Sequence, residues 1–132
     1  MIRKSTTPEL RTAFESHLQE TKTQDQRLEQ VFELDGTEPQ SVDCPAIDGI
    51  IEEAEEVAGE VADKTVLEAA LIAAGQSVEH YEIACYGALI AWAKELGKDD
   101  CAQRLAETLA EDVAADKKLT ATAEQGVNRA AA

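Results

Sequence analysis

Basic residues are scarce in this chain, and their scarcity restricts its partners. Among 132 residues, 12 are lysine or arginine and 27 are aspartate or glutamate, which gives a formal net charge of -15. Nucleic acids and anionic membrane surfaces would repel such a chain, so we expect neither as a partner. The negative charge is compatible with cation binding, but it is also typical of acidic proteins that are simply soluble.

Long apolar runs and paired cysteines are also missing. No stretch approaches the roughly 20 residues of a membrane-spanning helix. The basic beginning MIRKSTTPEL has no apolar segment after it, so it does not resemble a signal peptide. Cys44, Cys85 and Cys101 form no CxxC pair, which argues against a zinc knuckle or a CxxC redox motif. Three widely spaced cysteines predict a reduced, cytoplasmic protein.

Proline is confined to the first part of the chain. All three prolines lie before residue 46, so nothing interrupts a helical pattern in the remainder. Good helix formers dominate the composition, and apolar residues recur at helical spacing in four segments, with no convincing strand. We therefore predict helices over 8–34, 46–62, 63–96 and 99–126, with a loop over 35–45.

These segments predict an all-α fold, an antiparallel helical bundle with three long helices and one short helix. The length suits a single domain over 1–132, whose ends 1–6 and 127–132 we expect to be frayed. Three long helices do not complete a four-helix bundle. Either the short helix fills the gap or a partner chain does, and the exposed apolar stripes would otherwise form a large patch. We therefore expect a homodimer.

Carboxylates occur where apolar side chains are expected on the third predicted helix. With about 100° of rotation per residue, Glu82 lies about 40° from Val78, which we place at the centre of the apolar stripe. Glu79 lies at the edge of that stripe, and His80 points outward. Trp92 is predicted to lie in the core.

The first and fourth predicted helices repeat this pattern. Asp112 and Asp116 fall within the apolar stripe of the fourth helix, one turn apart. When the two helices are aligned by their apolar residues, Glu20 corresponds to Asp112 and Gln24 to Asp116. Both helices thus carry an oxygen-bearing pair at positions i and i+4, directed towards their neighbours.

An unpaired buried carboxylate is too costly to stay ionised, so it binds a proton or a cation. No lysine or arginine is assigned to these stripes. Oxygen-rich cages suit iron, manganese or magnesium, and inward carboxylates on facing helices are the design of di-iron bundles. We predict iron or manganese as the cofactor. The predicted ligands are Glu20, Gln24, Glu79, Glu82, Asp112 and Asp116.

A simpler interpretation is available for each of these residues. A single glutamate on a helical stripe usually lies at the rim with its carboxylate in water, and this applies most to Glu20. His17 is more often a hydrogen-bonded histidine at the edge of a core than a ligand. Gln24 could simply donate a hydrogen bond to a neighbouring carboxylate.

Four segments also carry a resemblance to a known family. AFESHLQETKTQDQRLEQVFE, CPAIDGIIEEAEEV, ALIAAGQSVEHYEIACYGAL and ETLAEDVAADKKLT resemble the YciE/YciF-like family of bacterial stress-associated proteins, over about residues 5–128. The resemblance implies a ferritin-like fold, a dimer and a di-metal site. The acidic positions of the family are matched here by Glu20, Glu82, the pair Glu111–Asp112 and Asp116. Asp112 stands where the family commonly has glutamate.

The resemblance further implies another long helix, with one more carboxylate, before the first helix predicted here. If the chain is complete as given, one wall of the bundle and one metal ligand are missing. We then expect a partner chain to supply the wall, the exposed face to drive dimerisation, or the site to be degenerate and empty.

Two functions follow as hypotheses. The first is a ferritin-like stress-response protein with a carboxylate (di-)metal site; ligands alone do not imply turnover, so enzymatic activity stays open. The alternative is a non-enzymatic dimeric helical protein with a degenerate, empty site. A nucleophilic enzyme is least favoured, because only His17 and His80 could act as histidine bases, neither at a readable spacing from a serine or cysteine. A Gly-rich phosphate loop is absent as well.

Overall fold

Helices make up nearly all of the regular structure. The computed structural model describes residues 1–132 apart from the side chain of Ile2. The main helices are α1 (Pro8–Asp35), α2 (Pro45–Glu60), α3 (Lys64–Glu95) and α4 (Asp99–Thr122). A 3-10 turn (Ile2–Lys4) precedes α1, and a π-helical turn (Ala123–Val127) and a short helix, α5 (Asn128–Ala131), follow α4. The described residues include no strand, so the predicted all-α fold is confirmed.

The ends of α3 follow from local sequence. Asp63 precedes the helix, and its Oδ1 accepts hydrogen bonds from the backbone N–H groups of Thr65 and Val66 at 2.8 and 3.2 Å. At the other end, Gly97 has φ 69°, which a glycine adopts at little cost. The N–H of Lys98 then reaches back to the carbonyl of Ala93 at 2.8 Å and closes the helix. None of the described helices is long and apolar enough to cross a membrane.

The start of α1 is capped by a residue of another helix. Glu68 of α3 is buried, and its carboxylate accepts hydrogen bonds from the backbone N–H groups of Thr6 and Thr7 and from the Thr7 hydroxyl. Burial favours the protonated carboxyl, but these donors outweigh it and lower the pKa of Glu68. This contact fixes the beginning of α1 against α3. The spacing of residues along one helix does not predict such a contact between two helices.

Two apolar clusters hold α1, α3 and α4 together. The first contains Leu10, Phe14, Leu71, Ile72, Leu119 and Ala123. The second contains Tyr86, Ile90, Ala93, Cys101, Ala102 and Leu105, with Leu28 and Val31 of α1 against it. The start of α1 therefore meets the end of α4 and the first half of α3. It follows that α1 and α3 run parallel, and α4 runs antiparallel to both.

The buried face of α3 differs from the predicted stripe. The buried residues of α3 include Leu71, Gly75, Glu79, Tyr86 and Ile90. The centre of the buried stripe is therefore rotated around the helix axis from Val78 towards Glu79. Trp92 is 63 % exposed, and its prediction as a core residue is wrong. Helix packing explains the rotation, because small residues such as Gly75 admit a neighbouring helix without adding to an apolar pattern.

Gly75 marks the closest approach in the first cluster. A Cβ atom there would lie 3.1 Å from Leu119 Cδ1 and 3.3 Å from Phe14 Cε1. We expect Gly75→Val to lower the free energy of unfolding by about 2 kcal/mol through overpacking, as measured by urea denaturation. The matched control is Gly87→Ala on the exposed side of α3, with no atom within 4 Å, which should stabilise by about 0.5–1 kcal/mol. Equal effects at both glycines would contradict the packing assignment.

Candidate metal centre

Three carboxylates converge between the two apolar clusters. Glu79 and Glu82 of α3 and Asp112 of α4 each offer an oxygen, and these oxygens lie within 4.8 Å of one another. Glu79 is 2 % exposed, Asp112 is 0 % exposed and Glu82 is half-buried. A spacing of three residues puts Glu79 and Glu82 on the same side of α3, where the antiparallel α4 brings in Asp112.

Helix α1 supplies hydrogen-bond partners for two of these carboxylates. His17 Nε2 lies 2.9 Å from Glu79 Oε1, and Gln24 Nε2 donates to Asp112 Oδ1 at 2.8 Å. The second oxygen of each carboxylate, Glu79 Oε2 and Asp112 Oδ2, is buried without a hydrogen-bond partner. Buried polar atoms are rarely left unpaired, so the described side chains leave ligand capacity free at this point.

Burial disfavours the ionised form of two of these carboxylates. Burial, followed by the charges of Asp112 and Glu79, raises the pKa of Glu82 to about 7. Burial also raises the pKa of Asp112 to about 6, although the Gln24 hydrogen bond opposes the change. The hydrogen bond to Glu79 raises the pKa of His17 despite its partial burial. These shifts all indicate that the centre attracts positive charge, as protons or as a metal cation.

Two of the six predicted ligands lie beside this centre rather than in it. The Glu20 side chain is 50 % exposed, with Oε2 3.7 Å from His17 Nδ1. Gln24 contacts Asp112 as a hydrogen-bond donor, which is the simpler role considered above for a glutamine. The structure thus brings together Glu79, Glu82 and Asp112, with Gln24 beside them and Glu20 at the rim.

Asp116, the sixth predicted ligand, has partners of its own. Its Oδ1 accepts a hydrogen bond from Gln76 Nε2 at 2.9 Å and lies 3.2 Å from Nε2 of the exposed His80. The predicted correspondence made Gln24 and Asp116 equivalent positions of the two helices and did not place them in contact. In the antiparallel packing of α1 and α4, Gln24 contacts Asp112.

The expectation that no basic side chain lies on these stripes is wrong. The Arg27 side chain is only 12 % exposed, and its Nη1 and Nη2 donate to the two carboxylate oxygens of Glu111, each at 2.8 Å. Nη1 also donates to the Thr108 hydroxyl at 2.8 Å. This ion pair lowers the pKa of Glu111. Glu111 is therefore neutralised by arginine, while the adjacent Asp112 is not.

Arg27 should contribute measurably to stability. We expect Arg27→Met to lower the free energy of unfolding by about 1–2 kcal/mol, because the buried Thr108 loses its donor and Glu111 keeps only the Gln24 amide, at 3.2 Å. Arg104→Met removes a solvent-exposed pair with Glu107 at 3.4 Å and should change stability by less than about 0.5 kcal/mol. Urea denaturation at low salt measures both; a loss at Arg27 no larger than at Arg104 would contradict this account.

Comparison with known proteins identifies a family for this chain. Residues 1–132 match the family described as Domain of unknown function (DUF892). The chain belongs to this family. It is 44 % identical over 132 residues to Protein YciF of Escherichia coli strain K12, covering 99 % of this chain and 80 % of that protein. The predicted resemblance to the YciF group is thereby confirmed.

Two solved structures share the fold. The E. coli stress protein YciF superposes with a TM-score of 0.91 at 44 % identity, covering 96 % of this chain and 80 % of that chain. YcfI of Rhodopseudomonas palustris, which is described as a structural protein, superposes with a TM-score of 0.88 at 55 % identity, covering 90 % of this chain and 76 % of that chain. Both comparisons support an all-α helical bundle.

Proposed function

We propose that this YciF-like stress protein binds a divalent metal ion, iron or manganese, at Glu79, Glu82 and Asp112. The observation that carries the proposal is the meeting of three carboxylates from two helices within 4.8 Å, with buried oxygens of Glu79 and Asp112 left unpaired. A cation would complete the coordination of both oxygens and neutralise the charge that burial concentrates there.

The donor set suits the proposed metals. Three carboxylates form a hard, all-oxygen ligand set, which favours manganese, magnesium or ferrous iron over softer ions. His17 would orient Glu79, and Gln24 would orient Asp112, through the hydrogen bonds that they already make. A bound metal would supply Lewis acidity and charge neutralisation at this point.

Glu20 and Asp116 remain proposed ligands of a second ion. Glu20 is half-exposed, with Oε2 3.7 Å from His17 Nδ1, and would have to change its side-chain conformation to bind an ion. Asp116 would first have to release Gln76 and His80. A cytoplasmic location is part of the same proposal, because Cys44, Cys85 and Cys101 are all free thiols.

Elemental analysis tests the metal proposal. Protein purified without chelator should contain iron or manganese, and Glu82→Ala should contain much less. Glu52→Ala, which removes an exposed carboxylate of α2, is the matched control and should match the wild type. Negligible iron and manganese in wild type and variant alike would remove the proposal.

A second candidate function is assembly through an apolar surface. Leu89 and Trp92 of α3 and Leu96, which directly follows that helix, are 39 %, 63 % and 70 % exposed, at helical spacing. Exposed apolar side chains grouped in this way are typical of protein interfaces. The description of the R. palustris relative as a structural protein favours this candidate too. We propose that this stripe forms the interface of a homodimer.

Sedimentation equilibrium tests the assembly proposal. The wild type should sediment as a dimer at micromolar concentration, and Trp92→Gln should shift it towards the monomer. Lys94→Gln changes an exposed residue two positions further along α3 and should leave the dimer intact. A monomeric wild type, or a dimer indifferent to Trp92→Gln, would contradict the proposed interface.

A further inference from the structure

Two cysteines flank one tyrosine hydroxyl on the side of α3 that faces α2. Cys44 Sγ lies 3.1 Å from the Tyr81 hydroxyl. Cys85 follows Tyr81 by one helical turn, so the two side chains lie on the same side of α3. Both cysteines are partly exposed, and neither contributes to the carboxylate centre. The fold therefore brings two thiols to one hydroxyl group, although 40 residues lie between the cysteines in sequence.

The environment of Cys44 favours the thiolate, which is the nucleophilic form of cysteine. Cys44 directly precedes the first turn of α2, where the partial positive charge of the helix is located. The Tyr81 hydroxyl, followed by the backbone N–H groups of Ile47 and Ala46, lowers the pKa of the Cys44 thiol, against the opposing charge of Asp48. Cys101 also lies in the first turn of a helix, α4, but it is buried and its thiol donates to the carbonyl oxygen of Val31 at 3.8 Å.

We propose that Cys44 and Cys85 form a peroxide-sensitive dithiol site, in which Cys44 is oxidised first and Cys85 then closes a disulfide. In the first step the Cys44 thiolate attacks a peroxide, an S–O bond forms, the O–O bond breaks and hydroxide leaves. Sulfur is oxidised to a sulfenic acid and the peroxide oxygen is reduced. The Cys85 thiol then attacks that sulfur, the S–O bond breaks, and the departing hydroxide takes up the thiol proton as water.

The fold allows the second step. Cys44 ends the irregular segment 36–44, so its backbone can shift towards α3 with little loss of regular structure. The disulfide would need the two sulfurs to approach to about 2 Å, with Tyr81 turning aside. Once formed, it would join the beginning of α2 covalently to the middle of α3.

Peptide mapping after peroxide treatment tests this proposal. Reduced protein is treated with hydrogen peroxide in the presence of a chelator, so that bound metal takes no part, and free thiols are then alkylated. We expect a Cys44–Cys85 linked peptide within one chain, formed on the order of tenfold or more faster than oxidation of Cys101. Cys101→Ser, the matched control, should react as the wild type does.

Three further variants separate the roles. Cys85→Ser should stop at a Cys44 sulfenic acid, which a cyclic diketone traps, and Cys44→Ser should leave Cys85 reduced under the same conditions. Tyr81→Phe should slow the oxidation of Cys44. The proposal would be overturned if Cys44 were oxidised no faster than Cys101, or if Cys85 were oxidised first. Disulfides formed only between separate chains would overturn it as well. None of these readouts depends on metal binding.

Discussion

At pH 8 and without metal, Glu82→Gln should raise the free energy of unfolding by about 2–3 kcal/mol. Glu82 in the folded chain has a pKa raised to about 7 by burial and by the neighbouring Asp112 and Glu79. At pH 8 it is therefore ionised in an environment that disfavours its charge. Glutamine has nearly the same shape and carries no charge, so the substitution removes the cost of ionisation and keeps the packing.

The sign of the pH dependence follows from the direction of this shift. Because the folded pKa of Glu82 lies above its unfolded value, the folded state binds more protons, and the protonated carboxyl stabilises the fold fully only below the unfolded pKa. That stabilisation is lost as the pH rises through about 7. The raised pKa values of Asp112 and His17 act in the same direction. The metal-free wild type should thus lose stability between pH 5 and pH 8.

Urea denaturation in chelating buffer at several pH values measures this effect. The advantage of Glu82→Gln over the wild type should shrink to about 1 kcal/mol at pH 5, where the folded carboxyl is protonated. Glu52→Gln, on the exposed side of α2, is the matched control and should follow the wild type at every pH. An advantage that does not change with pH would mean that Glu82 is solvated like an ordinary surface carboxylate.

Asp112→Asn should weaken manganese binding on the order of 100-fold or more while the helical fold is kept. Asp112 is fully buried, and its free Oδ2 is one of the two oxygens that the described side chains leave for a cation. Asparagine can still accept the hydrogen bond of Gln24, but it puts an N–H donor or a neutral oxygen where the charged ligand was. The variant therefore separates ligand loss from loss of structure.

Calorimetric titration with manganese, alongside circular dichroism, measures both properties. Asp100→Asn makes the same change at an exposed position in the first turn of α4 and should bind within about threefold of the wild type. If the free manganese concentration is 100 times the dissociation constant of the wild type, the free energy of unfolding of the wild type should rise by about 2.7 kcal/mol. That of Asp112→Asn should hardly change. Equal affinities in wild type and Asp112→Asn would show that the ion binds elsewhere.

The fold could be predicted from the sequence because the features that indicate its helices are local. Helical spacing and the restriction of proline to the first part of the chain predicted all four main helices to within a few residues. The inward direction of the Glu82 and Asp112 carboxylates could be predicted for the same reason, because each residue interrupts an apolar stripe. Helix α3 was placed with a rotational error, because Gly75 packs closely without contributing an apolar side chain.

The remaining features depend on contacts between helices, which spacing along one helix does not contain. Glu79 was placed at the edge of the stripe, yet α1 and α4 enclose it almost completely. Arg27 was overlooked because a long basic side chain usually extends into solvent, whereas here Glu111 holds it against α4. Trp92, predicted to lie in the core, is exposed because no described helix covers it.

The most direct test of the carboxylate centre is X-ray diffraction from crystals grown with manganese, recorded at the manganese absorption edge. The account predicts an anomalous peak between Glu79, Glu82 and Asp112, within bonding distance of a carboxylate oxygen from each. Manganese found only on surface carboxylates, or three side chains directed apart into solvent with no peak between them, would contradict it.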